Sequence, residues 1–262
     1  MTIRIGCQLN CWALGPDFDE GLVAAVREAG DIGYAGVESN WRMMHTWQDR
    51  KDELRGVLAQ AGTSISALFF GAGSAEATAA QQEVDDALRT AAFLREFGAD
   101  RMMIGGGKAT DDAETFEAVC RHYDELGKRV LGEHGVKACY HLHHGAIASA
   151  PDEIARMMEL TDERYWFLCP DTGIMVSEGH DVLDVVETYK DRIAYVHFKD
   201  WGGGDGWTLL GEGVVDHAAI LAKLQQLGYD GWLISENESR RKDLSPKEQQ
   251  AADRAWLKQH GV

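Results

Sequence analysis

The chain lacks several features that define large classes of proteins. Its 262 residues contain no apolar run approaching the roughly 18 to 20 residues that a membrane span needs. It begins Met-Thr-Ile-Arg-Ile-Gly, without the basic and then apolar stretches of a secretory leader, so we expect a cytoplasmic protein. No low-complexity linker or internal repeat interrupts the sequence. We therefore expect a single domain over residues 1–262.

Cysteines and basic residues are also scarce. The five cysteines are odd in number and lie mostly inside apolar runs, which indicates reduced core thiols and no disulfide framework. Only 26 Lys and Arg accompany 43 Asp and Glu, for a formal net charge of −17. Such a surface repels polyphosphate and offers no basic stripe. We expect neither nucleic acid nor a membrane among the partners.

What the sequence does contain is an alternation of short apolar segments with helical patterns. A strand followed by a helix, eight times over, is typical of a closed parallel barrel with helices outside. We therefore predict an α/β fold, a single (β/α)8 TIM barrel. The eight predicted strands are residues 3–11, 36–40, 64–70, 101–104, 136–141, 165–169, 193–197 and 232–235.

The last four strand segments each end at or near a residue of a type that commonly binds metals. His141 and His143 alternate with apolar residues and so face one side, while Asp171, His197 and Glu236 come at the ends of the next three segments. Each has an ordinary structural explanation when taken alone, such as a turn or a hydrogen-bonded core imidazole. Because the carboxyl ends of barrel strands meet at one face, the set predicts a site for one divalent ion. Two histidines and two carboxylates suit Mn²⁺, Co²⁺, Mg²⁺ or Zn²⁺, and we favour Mn²⁺.

The same blocks carry a family resemblance. Gly33-Tyr34-Ala35-Gly36-Val37-Glu38, Asp171-Thr172-Gly173, Val196-His197-Phe198-Lys199-Asp200 and the stretch 210–236 resemble motifs of the xylose isomerase-like barrel superfamily. The branch concerned contains sugar isomerases, epimerases and inosose dehydratases. The resemblance implies one divalent ion held by residues that end strands five to eight, which map here to His141, Asp171, His197 and Glu236.

Two departures from the family pattern bear on the reaction. Many epimerases of the family have a glutamate where this chain has His141, and a histidine is common where it has Ile174. Those epimerases use two metal-bound glutamates as a paired acid and base. The Tyr-His-x-His version resembles the inosose dehydratase side instead, where a proton next to a carbonyl is removed with the metal as Lewis acid. We therefore predict a metal-dependent lyase whose substrate is a keto-cyclitol or keto-sugar.

The resemblance and the strand-end positions together suggest roles for further residues. Glu236 is the predicted general base, alone or together with His143, and His143 or Lys199 is predicted to protonate the leaving group. Lys199 lies two residues after His197 and shares its inward face. Residues that follow the first two strands are predicted to bind substrate: Asn10, Trp12, Glu38 and Trp41. The glycine-rich stretch 202–207 is either a loop that closes over the mouth or a plain turn.

Several alternatives stay open at this point. An isomerase or 3-epimerase of ketoses would use the same metal, and so would a lyase that cleaves C-glycosides of 3-keto sugars. A non-catalytic sugar-binding subunit that keeps the barrel is a third alternative. The endonuclease relatives need further histidines on strands three and four, and residues 64–73 and 101–107 contain none. Association with a second copy or with another protein is not decided by any pattern in the sequence.

Overall fold

Eight short parallel strands form a barrel in the computed structural model, which describes residues 2–12, 14 and 18–262. The strands pair in chain order and the eighth also pairs with the first. Between the sixth and seventh strands the barrel is closed by the bridges Leu168–Ile193 and Asp171–His197. The predicted (β/α)8 barrel is thereby confirmed. In order, the strands are Arg4–Gln8, Gly36–Asn40, Ser64–Gly71, Arg101–Gly105, Lys137–His141, Trp166–Cys169, Tyr195–Phe198 and Trp232–Ser235.

The first strand is shorter than predicted. It ends at Gln8, and Leu9–Trp12 form a 3₁₀ turn that buries Leu9. The prediction of a strand over 3–11 was therefore wrong at its carboxyl end, because the apolar pattern continues through a tight turn that also faces the core. The seventh strand begins two residues later than predicted, since Ile193 pairs only through the isolated bridge to Leu168.

Helices connect the strands and cover the barrel from outside. The first two long helices contact each other closely at Gly30, where a Cβ atom would lie 2.1 Å from the carbonyl oxygen of Ala61. The last helix begins at a capping box, with the Ser245 hydroxyl accepting the Glu248 N–H and Pro246 in the first turn. None of the described helices is long and apolar enough to cross a membrane. The α-helices are Phe18–Ile32, Arg42–Trp47, Lys51–Ala61, Ala77–Glu96, Ala113–His134, Pro151–Leu160, Thr172–Ser177, Val182–Thr188, His217–Gln226 and Pro246–Gln259.

Two apolar layers set the position of the polar groups. The larger core lies between the helices and the outside of the sheet. A smaller cluster inside the barrel, which includes Met103, Phe167, Tyr195 and Trp232, plugs it from the amino ends of the strands. The ionisable side chains of the next layer therefore stand on an apolar floor at the carboxyl ends, with access from one side only.

Candidate metal centre and active site

Four side chains converge at the carboxyl ends of strands five to eight. One ligand atom from each of His141, Asp171, His197 and Glu236 lies within 4.8 Å of the others, and all four residues are buried. His141 Nε2 is 3.3 Å from Asp171 Oδ2 and 3.4 Å from Glu236 Oε2. His197 Nδ1 is 2.5 Å from the same Glu236 oxygen. The structure thus brings together the four residues predicted as metal ligands.

The polar atoms of this cluster are only partly satisfied by the protein. Among the described residues, neither ring nitrogen of His141 nor Asp171 Oδ2 has a well-formed hydrogen bond, although all three atoms are buried. Burying carboxylates and imidazoles without partners is costly, and a bound cation removes that cost. Two nitrogen and two oxygen donors match a divalent first-row ion. The cluster can therefore hold a metal ion.

Asp171 is aimed at the cluster by the turn in which it lies. Its Oδ1 accepts the N–H of Ile174 at 2.9 Å, so the residue is the N-cap of the helix Thr172–Ser177. This bond leaves Oδ2 free to face His141. The Asp-Thr-Gly turn and the predicted ligand role are therefore two parts of one arrangement.

His197 lies between two carboxylates, one on each ring nitrogen. Nδ1 faces Glu236, and Nε2 is 2.8 Å from Oε2 of Glu38, whose side chain is 1% exposed. Burial lowers the pKa of His197, but Glu38 and Glu236 outweigh it and raise the pKa to about 10. Glu38 was predicted to bind substrate. Its carboxylate contacts Nε2 of His197, the ring nitrogen that faces away from Glu236. A carboxylate in this position fixes the ring of a metal-binding histidine.

Lys199 accompanies Glu236 on its other side. The ammonium is 3.3 Å from Glu236 Oε1 and 2.5 Å from Glu238 Oε2, and it lies 4.5 Å from the ring centre of Trp207. Burial acts to raise the pKa of Glu236, but Lys199, His197 and His141 hold it well below its usual range. Glu236 is therefore ionised, with one oxygen directed to Lys199 and the other to the two histidines.

His143 is the half-buried imidazole of the site. Its ring packs edge-on against Phe69, with ring centres 5.4 Å apart, and its closest polar contact is the His141 carbonyl at 3.4 Å. Burial first, and then the nearby His141, lower its pKa to about 4. The ring is neutral at neutral pH and can accept a proton.

A cavity of about 370 Å³ opens over these groups. Asn10 and Trp41, two of the residues predicted to bind substrate, line it, and Trp41 stands at the rim with 41% of its surface exposed. Trp12 does not point there, because its indole N–H donates to Glu28 at 2.6 Å. The cavity is lined by Gln8, Asn10, Glu38, Asn40, Trp41, Arg42, Phe69, His141, His143, His197 and Glu236.

Sequence reasoning missed four of these lining residues, namely Gln8, Asn40, Arg42 and Phe69. Gln8 and Asn40 are the last residues of the first and second strands, so the strand-end rule that found the metal ligands would also have found them. Phe69 has no such signal, because an apolar side chain within a strand is expected to pack in the core.

The glycine-rich stretch 202–207 belongs to a small hairpin beside the cavity. Asp200–Trp201 pairs with Trp207–Thr208 in antiparallel fashion. Trp207 covers the Lys199 ammonium and also stacks on His144, with ring centres 5.6 Å apart. Trp207 therefore links the hairpin to the Lys199 and His144 side chains.

Comparison with known proteins agrees with this architecture. The family model described as xylose isomerase-like TIM barrel matches residues 26–260. The inosose dehydratase of Geobacillus kaustophilus (strain HTA426) is 26% identical over 274 residues, covering 90% of this chain and 87% of that protein. Among solved structures, the probable 3-DHS dehydratase AsbF of Bacillus anthracis has a TM-score of 0.81 at 13% identity, covering 98% of this chain and 99% of that one.

An L-ribulose 3-epimerase structure is similar to the same degree, with a TM-score of 0.79 at 19% identity over 99% of this chain and 94% of that one. At such identities these two likenesses show the fold alone. The family model, by contrast, spans nearly the whole barrel and includes all four residues of the buried cluster. The chain belongs to the xylose isomerase-like TIM barrel family.

Proposed function

We propose that the chain is a divalent-metal-dependent dehydratase of keto-cyclitols, of the inosose dehydratase type. The observation that carries the proposal is the composition of the buried cluster. The cluster contains His141 and a single glutamate, Glu236; by the family resemblance, His141 takes the position at which paired-glutamate epimerases have their other glutamate. The similarity to an inosose dehydratase across 90% of the chain supports the same assignment.

In this proposal the metal is held by His141, Asp171, His197 and Glu236, and Mn²⁺ is our first choice. When bound, the ion stabilises negative charge on a carbonyl oxygen as the neighbouring C–H is deprotonated. The cavity of about 370 Å³ leaves ample room for a six-membered ring. The cavity wall includes the side-chain amides of Gln8, Asn10 and Asn40. Amide groups suit the hydroxyls of a polyhydroxylated ring.

His143 is the proposed carrier of the proton. It is neutral, it lines the cavity, and no strong hydrogen bond occupies its ring nitrogens. It removes the proton next to the carbonyl, and the electron pair of that C–H bond forms an enediolate. The same imidazolium then returns the proton to the β-hydroxyl as its C–O bond breaks. Water and an unsaturated ketone leave, and His143 is neutral again without any outside proton donor.

Glu236 and Lys199, the other candidates for acid or base, are committed elsewhere. Glu236 bonds Lys199 through one oxygen and His197 through the other, which also faces His141. Lys199 is 3% exposed and is covered by Trp207, and it does not line the cavity. We assign Lys199 the task of orienting Glu236.

An epimerase is the main alternative, and the floor of the cavity disfavours it. Epimerisation needs a second acid or base on the opposite face of the substrate. The remaining carboxylates of the floor are engaged: Glu38 holds His197, and Asp171 caps a helix through Oδ1. Elimination with a single proton carrier fits these contacts better.

Features of the sequence suggest where the enzyme acts and what it binds. We propose a cytoplasmic enzyme whose partner is a small sugar or cyclitol. The five cysteines, all in the described part of the chain, are free, which agrees with a reducing compartment.

The test is turnover of inososes by the Mn²⁺-loaded protein, followed by mass spectrometry. We expect a product lighter by one water. His141→Ala and Glu236→Ala should lose both metal and turnover, whereas His143→Gln should keep the metal and lose about 10²- to 10⁴-fold in kcat. His134→Gln is the matched control, because His134 ends a helix that leads into the amino end of the fifth strand, away from the cavity. Full activity of the metal-free protein would contradict the proposal.

A further inference from the structure

The backbone of Lys199 is held by a side chain where a neighbouring strand would be expected. The seventh strand ends at Phe198, and beside it the chain has already left the sixth strand and entered the helix Thr172–Ser177. A buried peptide group without a partner is costly. The Thr172 hydroxyl supplies the partner: it accepts the Lys199 N–H at 3.1 Å and donates to the Lys199 carbonyl at 3.0 Å.

His217 and Gly173 complete this cradle. His217 Nε2 lies 3.0 Å from the Thr172 hydroxyl oxygen and 3.2 Å from the Lys199 carbonyl. With His217 as donor, the one proton and both lone pairs of the hydroxyl are used. Gly173 lets the helix approach, since a Cβ there would lie 2.7 Å from the Lys199 carbonyl oxygen. Thr172 and Lys199 are both buried, so water cannot take over these bonds.

The other end of Lys199 decides how Glu236 faces the cluster. The ammonium lies 3.3 Å from Oε1, while Oε2 lies 2.5 Å from His197 Nδ1 and 3.4 Å from His141 Nε2. A displaced lysine would free the carboxylate to rotate, and both oxygens would then compete for the same neighbours. The geometry therefore joins a backbone contact at Lys199 to the orientation of a metal ligand.

We infer that Thr172 is a positioning residue for the metal centre and acts through Lys199 on Glu236. The inference rests on the part of the proposed function that concerns metal binding, and it does not depend on the identity of the substrate. It assigns the Asp-Thr-Gly turn two separate tasks, with Asp171 as a ligand and Thr172 as the support of a different ligand. Because the tasks are separate, they can be told apart by experiment.

The experiment is a double-mutant cycle read out as Mn²⁺ affinity, measured by competition with a chelator. Thr172→Val removes the hydroxyl with its three hydrogen bonds, and the resulting shift of Lys199 should weaken binding by about two- to tenfold. Lys199→Met should weaken it by about 10- to 100-fold. In the Lys199→Met background, Thr172→Val should have no further effect, since the residue through which it acts is gone. Thr172→Ser keeps the hydroxyl and should bind like the wild type.

Two outcomes would overturn the inference. Equal affinities of Thr172→Val and the wild type would show that the hydroxyl does not matter. Additive effects in the double variant would show that Thr172 does not act through Lys199. Thr90→Val is the control, because it also removes a buried hydroxyl, one bonded to the Asp86 carbonyl at 3.0 Å. If Thr172→Val does not fold, Thr172→Ala takes its place in the cycle.

Failure of the proposed function would look different. A protein that binds Mn²⁺ but releases no water from inososes leaves the affinity cycle intact. A crystal structure of Thr172→Val provides a readout without any substrate. We expect the contact between Lys199 Nζ and Glu236 Oε1 to be lost there, and an unchanged contact would contradict the inference.

Discussion

The contact between Glu38 and His197 gives the sharpest prediction about the metal centre. The two side chains are each 1% exposed and lie 2.8 Å apart, so the carboxylate is well placed to hold the ring of His197. Outer carboxylates on metal-binding histidines typically contribute 10- to 100-fold in metal affinity, or about 1.4 to 2.8 kcal/mol. Glu38→Gln keeps an acceptor of the same shape and should lie near the lower figure. Glu38→Ala removes the carboxylate partner of the ring nitrogen altogether and should lie near the upper one.

The assay is chelator competition for Mn²⁺ at one fixed pH, with a thermal melt to show that each variant is folded. Glu83→Gln is the matched control, because Glu83 makes a similar contact with His122, at 2.6 Å, away from the cluster. It should change stability and leave Mn²⁺ affinity unaltered. Wild-type affinity in Glu38→Ala would refute the assignment of Glu38 as the support of His197.

Three further predictions concern stability. Burial raises the pKa of Asp253 to about 6, so the folded protein binds more protons than the unfolded chain between about pH 4 and pH 6, and stability falls as the pH rises through that window. Relative to the wild type, Asp253→Asn should gain on the order of 3 kcal/mol between about pH 4 and pH 7 in urea titrations, and a constant difference would contradict this. Gly30→Ala places a methyl group 2.1 Å from the Ala61 carbonyl oxygen and should cost about 1 to 3 kcal/mol, whereas Gly56→Ala, in open space, should cost nothing. Trp166→Ala removes a buried ring stacked 4.6 Å from Tyr123 and should cost about 3 to 5 kcal/mol in the same titrations; a loss under 1 kcal/mol would contradict the packing argument.

The fold and the cluster were predictable because both depend on periodic patterns along the chain. Alternating strands and helices define a barrel, and the barrel places the last residues of its strands at one edge. The convergence of Asp171, His197 and Glu236 could therefore be predicted without knowing the distances between them. The end of the first strand was not predictable, since the apolar pattern runs on into a buried 3₁₀ turn at Leu9.

Contacts between distant side chains are what the sequence could not provide. Glu38 and His197 are 159 residues apart, and their bond exists only because the closed barrel brings the second strand near the seventh. The strand-end position of Glu38 suggests a cavity residue, and nothing local reveals that His197 uses its carboxylate. The same holds for Trp12, whose indole bonds Glu28 instead of facing the cavity. Thr172 gave no signal beyond its turn, because its partner Lys199 follows the seventh strand, 27 residues further along the chain.

The central claim is that this barrel removes water from a keto-cyclitol. The most direct measurement is mass spectrometry of the product formed from an inosose by the Mn²⁺-loaded protein in deuterated water. We predict a product lighter by one water, and its formation should cease in His143→Gln. A product that keeps all its oxygen atoms and gains deuterium next to the carbonyl would contradict the account and identify an epimerase or isomerase.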